Sequence, residues 1–142
     1  MKTLCLALIL PCVLFSLTSI AEESAIHQQT QGEVTFVTGG VGIDERNALD
    51  ANRANYNLSL LFSVQNTGDY LSDVKIRITD LKGKIFLETL SDGPKLFAKL
   101  PPGRYIVIVD LNGETYHKTV SVRGKQNTSL SFTGSQKIEN EN

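Results

Sequence analysis

The chain has 142 residues, 41% of them hydrophobic, with 14 Lys and Arg against 15 Asp and Glu for a formal net charge of −1. That length gives one domain with room for a real core. The two signs are scattered along the sequence with no long single-sign block, which speaks against a nucleic-acid binder and against a membrane-surface patch.

Residues 1–21, MKTLCLALILPCVLFSLTSIA, read as a secretory signal. Lys2 supplies the positive start, residues 4–17 the apolar region, and Ser19 and Ala21 the small residues for cleavage before Glu22. A retained anchor is the alternative, because residues 3–21 carry no charge. Lipidation at Cys12 is a third, opposed by Pro11, which is not the small residue such a site takes. Cleavage leaves no stable membrane span and exports the protein to the periplasm or the medium. Both cysteines, Cys5 and Cys12, lie in this leader. The mature chain is therefore expected to have no disulfide, no thiolate zinc site and no cysteine nucleophile.

Residues 22–32 are polar and without period, a flexible lead-in. Residues 33–56 read as a strand–glycine loop–helix extension. EVTFV alternates as a short strand, TGGVG is a loop, and DERNALDANRAN is a helix of about three turns with Asp44 as its cap. Its apolar face is thin: Ala48, Ala51 and Ala54 on one side, Leu49 and Tyr56 on another. It is expected to lie on a surface.

From Asn57 the period changes to two. Leu58, Leu60, Phe62 and Val64 alternate with mostly polar residues; Val74, Ile76 and Ile78 alternate with Lys75, Arg77 and Thr79. Residues 85–90 and 96–99 follow as strands. Pro101, Pro102 and Gly103 then impose a tight turn, with Gly103 expected at positive φ. Residues 105–109, YIVIV, are apolar at both parities, as in a central strand covered on both faces. Asn112-Gly113 is a hairpin signal. Residues 115–123 form a strand with Tyr116, Val120 and Val122 inward, and residues 128–132 the last strand. Residues 134–142 are a loose polar tail. About seven short strands thus fall within 57–133, the pattern of a β-sandwich.

No residue set rises to a reaction. His117 shares parity with Thr119, Ser121 and Arg123 and should face solvent, unlike a buried catalytic base. Gly39, Gly40 and Gly42 before a helix suggest a phosphate cradle, but Asp44 and Glu45 occupy the helix start and would repel an anion. Asp110, Asn112 and Glu114 could suggest calcium; turn chemistry explains them as well. Asn57-Leu58-Ser59 and Asn127-Thr128-Ser129 match the glycosylation sequon, a short pattern that arises by chance. Tyr70, beside a turn, is the most exposed aromatic candidate, and Tyr105 is a core or corner residue. No metal or cofactor is called for. As the segment added to the sandwich, Gly39, Gly40, Gly42, Asp44 and Glu45 form the candidate partner-binding surface, with Tyr70.

Several of these pieces resemble a known family. Ser72-Asp73-Val74-Lys75-Ile76, Asp80-Leu81-Lys82-Gly83, Ser91-Asp92-Gly93 and, most diagnostic, Leu100-Pro101-Pro102-Gly103-Arg104-Tyr105 are similar to the carboxypeptidase regulatory-like domain, a transthyretin-like (prealbumin-type) sandwich. The resemblance covers roughly half the chain. The arrangement is shared with collagen-adhesin B-type repeats and PEGA-like modules. Residues 38–45 with the helix resemble the start of small exported proteobacterial proteins carrying this domain. The resemblance implies a seven-stranded Greek-key β-sandwich, transthyretin-like or Ig-like, with a short N-terminal strand and one surface helix. It also implies a folding or binding module rather than a peptidase. Transthyretin-like hydrolases carry a terminal Y-R-G-S, which this chain lacks. The expected function is a secreted or periplasmic, non-enzymatic module that binds a protein or envelope component. The alternative is a carrier of a small ligand or carbohydrate.

Overall fold

A computed structural model describes residues 26–135. The leader expected over 1–21 lies outside the described residues, as do residues 136–142 of the expected tail. Nine strands and one helix follow in the order β1 (Gln29–Gln31), β2 (Val34–Gly39), α1 (Ile43–Asn52), β3 (Leu58–Val64), β4 (Val74–Asp80), β5 (Ile85–Ser91), β6 (Lys95–Lys99), β7 (Gly103–Leu111), β8 (Glu114–Val122) and β9 (Thr128–Gly134), with a 3-10 turn over Arg53–Asn55 after the helix. They form two packed sheets, ordered β1-β2-β6-β3-β9 and β5-β4-β7-β8. The seven strands expected between residues 57 and 133 are all present.

The alternation read in the sequence is the burial pattern of the strands. Val74, Ile76 and Ile78 of β4 and Tyr105, Val107 and Val109 of β7 point inward; Leu58, Leu60 and Phe62 of β3 face them from the other sheet. Each such side chain contributes about 1.5–3 kcal/mol when fully buried. Strand β7 is interior, paired with β4 and β8. Its second apolar parity, Ile106 and Ile108, is half-buried rather than covered.

Some expectations need correction. Strand β6 does not pair with β7: it lies between β2 and β3 in the other sheet. The Pro101-Pro102 turn therefore carries the chain from one layer to the next. Gly103 is the first residue of β7 and does not hold positive φ. The lead-in read over 22–32 contains a strand, β1, antiparallel to β2. Its Gln31 side chain accepts from Glu88 N–H (2.7 Å) and donates to Glu88 C=O (3.2 Å), pairing with the outer edge of β5 much as a strand would. Segment 33–56 is built into the sandwich, since β2 sends Val34 and Phe36 into the core. The helix begins one residue earlier than expected, with Gly42 at the N-cap and Asp44 in the first turn, making no capping bond.

The helix lies on the outer face of the five-stranded sheet. Leu49 meets Val37, Tyr56 and Phe97 in a second, smaller cluster. Lys95 of β6 ties the helix down through Asp50 at 2.7 Å.

Candidate functional site

The predicted surface residues gather at one corner of the sandwich. Strand β2 ends at Gly39, where it pairs with Lys95. Gly40 then turns the chain at φ 95°, a conformation that a side chain disfavours, and Gly42 starts α1. Glu45 is half-buried, and its carboxylate lies against Gly39 in the space a Cβ would fill. The turn after β5 closes on the same spot. Gly93 packs against the Gly39 backbone, and Thr38 and Asp92 hydrogen-bond at 3.3 Å. Tyr70 comes from the β3–β4 connection, bridged to Ser63.

Arg46 joins these parts, and the sequence reading missed it. Its guanidinium donates to the carbonyls of Gly40 and Val41, both at 3.0 Å, and lies 5.1 Å from the centre of the Tyr70 ring. The available signal was a cation in the first helical turn, where the helix dipole disfavours positive charge. The benefit of placing it there is local. Loop carbonyls and an aromatic face hold the guanidinium and so fix the loop to the β3–β4 connection.

The corner so braced presents apolar groups to solvent. Val41 is 67% exposed, Ile43 66% and Tyr70 51%. Asp44, Asp69 and Asp92 surround them, all exposed. The structure thus brings Gly39, Gly40, Gly42, Asp44, Glu45 and Tyr70 to one corner and adds Val41, Ile43 and Arg46. Such a surface offers contact area, an aromatic anchor and acidic rim groups, the makings of a protein-contact site.

The other candidates resolve into structural roles. His117 is exposed on β8, opposite Ile108. Asp110 accepts the Gly113 N–H at 3.0 Å in the β7–β8 turn, and Glu114 accepts the Tyr116 hydroxyl at 2.6 Å. That bond to Glu114 is the main cause holding the Tyr116 phenol above its ordinary value. Among the described residues no group of three or more His, Cys, Asp or Glu converges as a metal site. Both sequon asparagines have their amides committed inside the fold: Asn57 to Leu100, and Asn127 to the carbonyls of Arg53 (3.3 Å) and Tyr56 (2.9 Å). Tyr105 is the corner residue expected. It is buried, and its hydroxyl donates to the Pro101 carbonyl four residues upstream. Among the described residues no helix is long and apolar enough to cross a membrane.

No family model matches the chain, and no curated protein matches it. What stands is a mainly β domain of two packed sheets.

Proposed function

We propose that this protein is an exported, non-enzymatic binding module that takes a protein or envelope component at the corner of Val41, Ile43 and Tyr70. The observation that carries the reading is the exposure of these three large apolar side chains on a corner held rigid by Arg46. Isolated apolar residues on a surface are ordinary; three around one braced loop are a contact patch. The carboxypeptidase regulatory-like resemblance agrees with this. The Tyr105–Pro101 hydrogen bond supplies a physical reason for the Leu-Pro-Pro-Gly-x-Tyr run on which that resemblance rests.

The carrier reading draws on a groove of about 220 Å³ beside the helix, lined in part by Leu61, Phe97, Leu130 and Ser129. It is smaller than the roughly 300–1,000 Å³ usual for a ligand pocket. Two larger hollows, of about 570 Å³ beside Gln31, Glu33, Lys84 and Glu88 and of about 400 Å³ beside Gln28, Thr35, Lys99 and Lys125, are lined mainly by polar and charged residues, where such a pocket is mostly apolar. The contact-patch reading therefore leads.

The test replaces Val41, Ile43 and Tyr70 together with serine. All three are exposed, so stability should fall only by about 0.5–1 kcal/mol, the worth of the Arg46–Tyr70 contact, while capture of a binding partner from envelope extract is lost. Undiminished capture by the variant contradicts the reading. Export has its own check: mass spectrometry of the mature N-terminus should find Glu22.

A further inference from the structure

Charges scattered along the sequence are sorted by the fold. Lys82 and Lys84 stand on the β4–β5 turn, Lys99 closes β6, Arg104 follows the start of β7, and Arg123 and Lys125 flank the β8–β9 turn; all are exposed. Strand register places these segments at one end of the sandwich. Thr79 pairs with Ile85, Asp80 with Tyr105, Gly103 with Val122, and Leu58 with both Ala98 and Thr128. The carboxylates at that end are Glu33 and Asp80. The Asp80 carboxylate is already occupied by the backbone N–H groups of Lys82 (2.8 Å) and Lys84 (2.9 Å). Among the described residues the ion pairs are Arg77–Glu88 and Lys95–Asp50, so none of these cations has a carboxylate partner.

The opposite end carries Asp44, Asp69, Asp73, Asp92 and Glu114, all exposed. Strand β7, nine residues long, separates the ends by roughly 30 Å at about 3.3 Å per residue. The Debye length at physiological salt is about 8 Å. A surface meeting the basic end is therefore screened from the acidic one, and the overall charge of −1 does not describe what it meets.

The β4–β5 turn adds a second feature. It reads Leu81-Lys82-Gly83-Lys84-Ile85, with Leu81 56% and Ile85 48% exposed. Apolar side chains on a projecting turn, interleaved with lysines, suit the headgroup layer of a bilayer. The apolar groups enter the acyl boundary while the ammonium groups stay at the phosphates. A soluble polyanion would answer the charge but leave Leu81 and Ile85 in water. We infer that this basic end docks on an anionic bilayer surface, with the β4–β5 turn seated among the headgroups. The contact is peripheral and spans nothing. It leaves the corner of Val41, Ile43 and Tyr70 facing away from the bilayer, and it stands independently of the role proposed for that corner.

Co-sedimentation of the purified protein with vesicles reads this directly. Binding is expected to phosphatidylcholine vesicles containing phosphatidylglycerol, and not to phosphatidylcholine alone. It should vanish in about 1 M salt, where the Debye length is about 3 Å. Lys82→Ala and Lys84→Ala should each weaken binding roughly fivefold. Leu81→Ser should weaken it while leaving the salt dependence intact, and Asp73→Asn, at the far end, should change nothing. Circular dichroism confirms that each variant is folded. Equal binding to both vesicle types, no binding at all, or full affinity in the double lysine variant overturns the inference. Binding to polyphosphate but not to vesicles assigns the end to a soluble polyanion and overturns it too.

Discussion

The side-chain amide of Asn57 hydrogen-bonds both backbone groups of Leu100, 43 residues further along, donating to its C=O at 2.7 Å and accepting its N–H at 2.9 Å. Both residues are buried. The pair pins the entry to β3 against the segment where the chain leaves one sheet for the other. It thereby places the Pro101-Pro102 turn. Asn57→Ala would strand a buried donor and a buried acceptor, at about 1–3 kcal/mol for each. Chemical denaturation should show a loss of about 2–6 kcal/mol. Asn57→Asp should also destabilise, because a carboxylate cannot donate to Leu100 C=O.

Tyr105 makes stability depend on alkaline pH. Burial raises its pKa above the ordinary value, and the negative charges of Glu33 and Asp80 add to this. The unfolded phenol ionises near about pH 10, before the folded one. Stability is therefore complete below that pH and falls as pH rises through the folded value. Tyr105→Phe should lower stability at neutral pH by about 1 kcal/mol, the worth of the bond to Pro101. It should also flatten the decline in melting temperature above about pH 10. Some decline should remain, since burial raises Tyr56 as well.

Two glycines should answer oppositely to substitution. A Cβ on Gly93 would land on the backbone of Gly39, which cannot yield without moving β2. Gly93→Ala is expected to cost about 1–3 kcal/mol. A Cβ on Gly103 meets the Tyr105 ring at 3.8 Å, an ordinary contact, in extended and exposed backbone. Gly103→Val should stay within about 0.5 kcal/mol of the parent. Thermal melts of the two variants check both.

The strands were legible because their faces differ. Val74, Ile76 and Ile78 alternate with Lys75, Arg77 and Thr79, and a period of two survives any choice of partner strand. What each strand pairs with was not legible. Leu96–Lys99 and Tyr105–Val109 look like two arms of a hairpin, yet the turn between them changes layers, a choice set by packing rather than by turn residues. Strand β1 was missed because Gln29, Thr30 and Gln31 are all polar and exposed. Their order comes from β2 and from the edge of β5, both distant in sequence. At the candidate corner the glycines and Tyr70 were visible as loop residues. Arg46 was not, because its partners are backbone carbonyls and a ring from another connection. The separation of charge likewise exists only after folding, since each basic turn is short and flanked by neutral strands.

The binding corner is tested most directly by a photo-crosslinking residue placed in turn at Ile43, Tyr70 and His117 in the exported protein. The first two positions belong to the corner; the third stands exposed on β8. Illumination is expected to give the same protein adduct from positions 43 and 70 and none from 117. An adduct from 117 alone, or none from 43 and 70, would contradict the role assigned to this corner.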